Sequence, residues 1–147
     1  MKKAPHFNLS NFLPYRLSIL SNRISQGIAE IYQEKYALSI TEWRIMAILG
    51  NFENCTATEI VKYTAIDKVA ISRNVKKLLE RGFIERKSDP EDRRRQSLRL
   101  SPLGQEVFDE IIPKAINYEY HFIDQLSSKD LNDLERITQK LFTVLEK

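Results

Sequence analysis

The stretch "SDPEDRRRQSLRLSPLG", residues 88–104, decides the fold. It sets three consecutive arginines, Arg93, Arg94 and Arg95, between an acidic segment and the alternating "SLRL" of residues 97–100. The two-residue period of a strand puts Leu98 and Leu100 on one face and Arg99 on the other. Just upstream, "FIERK" at residues 83–87 reads as a second strand, which leaves the arginines at the tip of a hairpin. Like charges massed on a tip repel one another and add nothing to a core. Their planar, permanently charged heads suit phosphates, carboxylates and the narrow grooves of nucleic acid. Ser101 and Pro102 then open a helix, with proline at the first position, where its missing N–H costs nothing.

Upstream of the hairpin, three short helices share one design: a capping residue, an apolar residue just before it, and another four positions after it. Ser39 with Glu42, flanked by Leu38 and Trp43, and Thr56 with Glu59, flanked by Cys55 and Ile60, both read as capping boxes. Asp67 caps a third start between Ile66 and Ile71. The predicted spans are 40–51, 57–64 and 68–81, with Gly82 supplying the left-handed residue that ends the third. Before them, Leu13, Leu17, Leu20, Ile24, Ile28 and Ile31 mark one face of a long helix reaching about Tyr36. Downstream, Pro113 lies inside the helix opened by Ser101, where a kink is expected. A last capping box, Ser127 with Asp130, starts a helix bearing Leu134, Ile137, Leu141, Val144 and Leu145.

The whole chain has 147 residues, 42% hydrophobic and 29% charged, the balance of one compact domain. No apolar run is long enough to cross a membrane, and "MKKAPHFNLS" lacks the apolar centre of a signal peptide, so a cytoplasmic protein without membrane contact is expected. One cysteine and two histidines exclude an internal disulfide and make a metal site improbable. The net charge of +3 is unevenly spread: residues 62–99 hold twelve basic and six acidic side chains, so this segment carries +6 and the remainder −3. The basic segment is the expected contact with a polyanion.

Helix, short turn, helix and a hairpin with a basic tip is the order of a winged helix-turn-helix, in which the second helix enters the major groove. In "DKVAISRNVKKLLERG", residues 67–82, Ile71, Val75, Leu78 and Leu79 form the stripe to be buried. Lys68, Val69, Ser72, Arg73 and Lys76 fall on another face and combine a guanidinium, a short hydroxyl and a small apolar group of the kinds that read base edges and thymine methyls. The bland reading of that face is a solvated amphipathic helix. For the loop, it is a set of arginines paired with Asp89, Glu91 and Asp92. Asp92, too close to Arg94 to favour phosphate, is expected to orient a guanidinium or tie down the loop backbone.

These residues resemble the multiple-antibiotic-resistance regulator (MarR) family of winged-helix transcription factors. The family's wing pattern is Asp-Arg-Arg, three variable residues, Leu-x-Leu, Ser or Thr, then x-x-Gly. It is met by Asp92, Arg93, Arg94, Leu98, Leu100, Ser101 and Gly104. "LSITEWRIM" from Leu38, "TATEIV" from Thr56 and the helix from Asp67 extend the likeness to nearly the whole chain. The resemblance implies a mainly α fold with a small β-hairpin wing, in a single domain over 1–147. Segments 11–36 and 101–147 would be interlocking dimerisation helices and 38–100 the DNA-binding lobe. It further implies a homodimer on a pseudo-palindromic double-stranded operator, acting as a repressor, with Arg94 at the position that enters the minor groove. Arg95 departs from many relatives, which carry a small residue there. The long apolar stripes of the first and last helices agree with a second subunit, because three short helices and a hairpin cannot cover both.

Many relatives are released from DNA by small ligands held between the dimerisation helices and the winged lobe. Here the candidate lining for an aromatic or otherwise apolar carboxylate is Arg16 as a bidentate clamp, Tyr15 beside it, Trp43 as an apolar wall and His6 from the arm. The bland readings are an ion pair for Arg16 and a core position for Trp43, which fills a staple site. Cys55 also sits in a staple position, so structural burial is expected over redox sensing. No nucleophile elbow, phosphate loop or paired-acid motif supports an enzyme, and no cofactor is expected. An architectural DNA-binding protein without a ligand, or a cysteine-based redox regulator, are the alternatives to a ligand-responsive one.

Overall fold

The computed structural model of the chain describes residues 5–146. After a single 3₁₀ turn at Leu9–Asn11 come α1 (Leu13–Tyr36), α2 (Ile40–Asn51), α3 (Ala57–Thr64), α4 (Lys68–Glu80), β1 (Ile84–Ser88), β2 (Gln96–Leu100), α5 (Pro102–Ile123) and α6 (Ser128–Leu145). The order is that of a winged helix-turn-helix, mainly α with one two-stranded antiparallel hairpin among the described residues. The described residues group into two compact units, one ending at Ile111 and the other beginning at Ile112.

The helix starts follow their capping chemistry. Ser39 Oγ accepts the Glu42 N–H at 3.0 Å while the Glu42 carboxylate accepts the Ser39 N–H at 3.1 Å, and Ser127 with Asp130 repeats the arrangement. Asp67 Oδ1 accepts the Ala70 N–H at 2.9 Å. At Thr56 the expected box is half-built: Thr56 Oγ1 accepts from the Glu59 N–H at 3.2 Å, but the Glu59 carboxylate is engaged by Arg95. A cap three residues away competes there with a full positive charge, and the charge-assisted bond prevails.

The helix ends are less regular. Gly82, at φ 74°, ends α4 in a Schellman motif: the Gly82 N–H donates to the Leu79 carbonyl and the Phe83 N–H to the Leu78 carbonyl, each at 3.1 Å. That motif consumes Phe83, which is why β1 starts at Ile84 rather than one residue earlier. α1 and α3 end instead on left-handed alanines, Ala37 at φ 51° and Ala65 at φ 54°. No glycine signal marks those ends in the sequence.

Within the first unit the α4 stripe is sorted as its spacing dictates, with Ile71, Val75 and Leu78 buried and Leu79 half-buried. They share a core with Leu38, Ile45, Met46 and Ile60, closed by Phe83, Ile84 and Leu98 of the hairpin and by Val107 and Ile111 of α5. The hairpin register pairs Ile84 with Leu100, Glu85 with Arg99 and Arg86 with Leu98. Leu98 is buried and Arg99 exposed, but Ser97 is buried as well, because its hydroxyl donates to the Lys87 carbonyl at 3.1 Å. On its other side β2 meets Cys55, whose carbonyl accepts the Leu98 N–H at 2.7 Å. This bridge fastens the hairpin root to the loop between α2 and α3. In the second unit, α5 runs through Pro113 without interruption of its assignment, Tyr118 and Phe122 meet edge to face at 5.7 Å, and α6 buries none of its residues.

The glycine at the end of the wing motif has a steric cause. Ser101 donates its N–H to the Phe83 carbonyl and its hydroxyl to the Gly82 carbonyl, and accepts the Gly104 N–H at 3.0 Å. These bonds press the first turn of α5 so closely on the helix-to-strand corner that a Cβ on Gly104 would lie 1.8 Å from the Phe83 carbonyl oxygen. The obstacle is backbone and cannot rotate away. Gly104→Ala is therefore expected to destabilise the fold by about 1–3 kcal/mol, the usual cost of overpacking. Urea unfolding of both proteins checks this, and equal midpoints would mean that the corner gives way freely.

Candidate nucleic-acid interface

Burying Ile71, Val75 and Leu78 turns the opposite side of α4 outward. Lys68, Val69, Ser72, Arg73 and Lys76 are all exposed, Val69 to 66% despite its apolar side chain. Lys68, Arg73 and Lys76 have no ion pair among the described residues. Asn74, one turn along, is spent on its own helix, its amide donating to the Ala70 carbonyl at 2.7 Å. α3 packs behind α4, with Ile60 and Ile71 both inaccessible to solvent, so the outward face sits on a rigid pair of helices.

The tip of the hairpin is organised by its acids. Asp89 Oδ1 accepts the Glu91 N–H at 2.9 Å, and Asp92 Oδ1 accepts the Arg94 N–H at 3.0 Å. Each closes an Asx-type turn, so both carboxylates engage backbone N–H groups. Asp92 thus ties down the loop backbone rather than orienting a guanidinium. The loop arginines do not pair with the loop acids: Arg93 and Arg94 are exposed and have no ion pair among the described residues. Arg95, grouped with them in the sequence, is placed differently, its Nη2 lying 3.0 Å from Glu59 Oε1 on α3. Arg99 pairs across the hairpin with Glu85 at 2.8 Å.

The other candidates separate into surface and core. Tyr15 and Arg16 line one open recess of about 320 Å³ with Ser10, Ile19, Leu20 and Arg23. No motif marks Arg23 in the sequence, although it lies seven residues from Arg16, two turns along the same helix face. Trp43 is not part of that recess. It is buried between Tyr32 and Phe108, with ring centroids 5.5 and 6.1 Å away, because the staple position turns it into the core. Burial pushes the neighbouring Tyr32 phenol up to about 12. His6 is exposed and is not among the residues lining the recess.

Two charged residues that sequence patterns did not join, Glu42 and Arg81, form a clamp at the root of the lobe. Arg81 donates to the carbonyls of Tyr36 and Ala37, lies 3.4 Å from the buried Glu42 carboxylate and stands 4.7 Å over the Phe83 ring. Glu42 was visible only as a capping residue, and Arg81 only as part of a basic helix end. Among the described residues, no group of three His, Cys, Asp or Glu side chains is placed to hold a metal ion, and no helix is long and apolar enough to cross a membrane.

Comparison with known proteins agrees with this arrangement. The sequence model of the MarR family matches residues 38–95, the span from the α2 cap to Arg95. Among curated proteins, the chain is 29% identical over 114 residues to the HTH-type transcriptional regulator BilQ of Clostridium symbiosum, covering 78% of this chain and 74% of that one. A MarR/EmrR family regulator from Acinetobacter sp. ADP1 superposes with a TM-score of 0.87 at 27% identity, over 95% of this chain and 99% of its own. Sco3205 of Streptomyces coelicolor, a MarR family regulator solved in complex with DNA, superposes with a TM-score of 0.81 at 19% identity, over 100% and 94% of the two chains. The similar proteins are transcriptional regulators, not enzymes.

Cys55 shows how the fold disposes of a reactive group. It is 2% exposed, and its thiol is pushed up first by burial and then by the nearby Glu59 carboxylate, with Arg95 opposing in part. A raised value means less thiolate at neutral pH, hence a weaker nucleophile. Labelling by a thiol reagent at pH 7–8 is expected to be slow in the folded protein and fast in urea. Rapid labelling of the folded protein would show that the thiol is reachable and reopen a redox role.

Proposed function

We propose, from the match of residues 38–95 to the MarR family model, that this chain is a DNA-binding transcriptional regulator of that winged-helix family. The observation that carries the reading is the pairing of two exposed surfaces whose basic groups form no ion pair among the described residues: the α4 face of Lys68, Val69, Ser72, Arg73 and Lys76, and the hairpin tip of Arg93 and Arg94. Neither contributes to the core. In this reading α4 lies in the major groove, where Arg73 and Ser72 meet base edges and Val69 a thymine methyl, while Lys68 and Lys76 lie along phosphates. Arg94, on a backbone turn shaped by Asp92, enters the flanking minor groove, with Arg93 beside it on phosphate. Sco3205, which shares this fold, was solved in complex with DNA, in keeping with a DNA-binding role.

The working form is a homodimer on a pseudo-palindrome, which represses by occupying a promoter in the cytoplasm. Support for a second copy comes from two stripes: Leu13, Leu17 and Leu20 on α1 are each about half exposed, and α6 exposes Leu134, Ile137, Phe142, Val144 and Leu145. Segments 11–36 and 101–147 are the proposed dimerisation elements and 38–100 the DNA-binding lobe. A small aromatic or apolar carboxylate is the proposed releasing ligand. The recess around Arg16 supports it, offering two guanidinium groups, a phenol and two aliphatic walls.

DNA recognition is tested with duplexes selected from the source genome, against random duplex at one physiological salt concentration; a ratio near one would favour an architectural protein. Arg94→Ala is expected to weaken binding and flatten its salt dependence with folding intact. Arg73→Ala is expected to relax preference at one position per half-site, at a cost of about 1–3 kcal/mol if its base contact is bidentate. Equal weakening on every sequence would make Arg73 a phosphate contact.

The ligand reading is tested by titrating benzoate- and cinnamate-like acids into the protein–DNA complex. A ligand shifts the equilibrium only through different affinities for free and bound protein. Release at millimolar concentration or below, lost in Arg16→Ala, is expected. No release by any acid ends the carboxylate reading, and release undiminished in the variant removes Arg16 from it.

A further inference from the structure

Arg95 stands apart from its two neighbours in what its side chain touches and in what its backbone holds. The guanidinium reaches from the base of the hairpin tip to the first turn of α3, with Nη2 3.0 Å from Glu59 Oε1. The backbone is the hub of the loop: the Arg95 N–H donates to the Asp92 carbonyl at 3.1 Å, and the Arg95 carbonyl accepts from the Asp89 N–H at 3.3 Å. Asp92 in turn accepts the Arg94 N–H. Fixing Arg95 therefore fixes the segment that presents Arg93 and Arg94. Glu59 is itself anchored, its N–H on Thr56 Oγ1 and its charge in the first turn of a helix, where the dipole favours a carboxylate.

We propose that Arg95 is a positioning residue: the Arg95–Glu59 pair latches the hairpin tip to α3 and so sets the reach of Arg94 relative to the exposed face of α4. The proposal rests on the DNA-binding reading and sharpens it, because Arg95 then serves binding without touching the nucleic acid. The root of the hairpin is already held by the bridge from Leu98 to Cys55 and by the Ser101 bonds. The tip, Asp89 to Arg95, separated from Gly82 by six residues and from Ser101 by five, has the latch as its side-chain tie to the helices among the described residues. Both partners are partly exposed, 50% and 36%. Such a pair adds little to global stability. It is enough to bias a short loop among nearby orientations, since a few-fold preference is all that such a bias requires.

Glu59 separates this proposal from a direct phosphate contact by the sign of one effect. Glu59→Gln keeps the shape of the side chain and the type of residue favoured three positions into a helix, while removing one negative charge from the cationic side of the lobe. If Arg95 contacts phosphate, this substitution frees it and binding tightens. If Arg95 is a latch, the tip loosens and binding weakens.

The experiment uses the full chain and duplexes selected from a random-sequence library by the wild-type protein, titrated over a range of salt. Arg95→Ala and Glu59→Gln are each expected to weaken binding by roughly two- to fivefold per wing, the scale of an exposed ion pair. The double variant should be no weaker than either single one, and the swap of Glu59→Arg with Arg95→Glu should restore at least half of the loss. The salt slope of Glu59→Gln should equal that of the wild type, as no phosphate contact is lost. In the DNA-free protein, ¹⁵N relaxation should show faster motion of the Arg93 and Arg94 amides in both single variants and its reversal in the swap, with the thermal midpoint unchanged. Tighter binding by Glu59→Gln, or wing relaxation identical in all variants, overturns the latch. Failure of the wild-type protein to enrich any duplex overturns the DNA-binding reading itself, whereas the relaxation measurement reads the latch with no DNA present.

Discussion

The winged lobe depends on one guanidinium. Arg81, at the end of α4, caps the carbonyls that close α1, approaches the Glu42 carboxylate that starts α2, and covers the Phe83 ring where β1 begins. Four elements thus meet at a single side chain. The constraint is electrostatic as much as geometric. Glu42 is only 6% exposed, and a carboxylate taken that far from water needs both a backbone donor and a counter-charge. Ser39 supplies the first and Arg81 the second. The carbonyls of α1 would otherwise end a long helix unsatisfied, at a place where Ala37 already accepts a left-handed backbone. With this corner fixed, the outward face of α4 has a defined direction relative to the helix that precedes the lobe.

The distribution of charge follows a division of labour. Arginines that organise the protein have carboxylates: Arg81 has Glu42, Arg99 has Glu85 and Arg95 has Glu59. Of the arginines with no ion pair among the described residues, Arg73 lies on the outward face of α4 and Arg93 and Arg94 on the tip, while Arg16 and Arg23 lie on α1 and Arg86 on β1. Asp89 and Asp92 each accept a backbone N–H, so they give the loop a fixed shape while Arg93 and Arg94 form no ion pair among the described residues.

Much of this was legible in the sequence, for reasons that differ by element. Helix starts were legible because caps act within four residues, as at Ser39, Asp67 and Ser127, and the α4 stripe because burial imposes its period. The ends of α1 and α3 were not, since Ala37 and Ala65 adopt a conformation that alanine does not advertise. Ser97 broke the strand alternation through a hydroxyl bond that period alone cannot encode. Among functional candidates, residues defined by exposure on a regular helix were placed correctly on the surface. Arg95, which depends on a distant partner, was not foreseeable, since it meets Glu59 thirty-six positions away; Trp43, also offered as a ligand wall, took the core position that its staple site implied, held by Tyr32 and Phe108. A staple residue belongs to the core before it belongs to a site.

The bridge at Cys55 has a consequence for how copies of the protein meet. β2 is flanked by β1 on one side and by the Cys55 backbone on the other, which leaves β1 as the open edge of the hairpin among the described residues. That edge carries Glu85, Arg86 and Lys87 in succession, a charged border of the kind that discourages a strand from another molecule from adding to the sheet. A second molecule therefore finds at the hairpin no strand edge that it could extend without setting charge against charge.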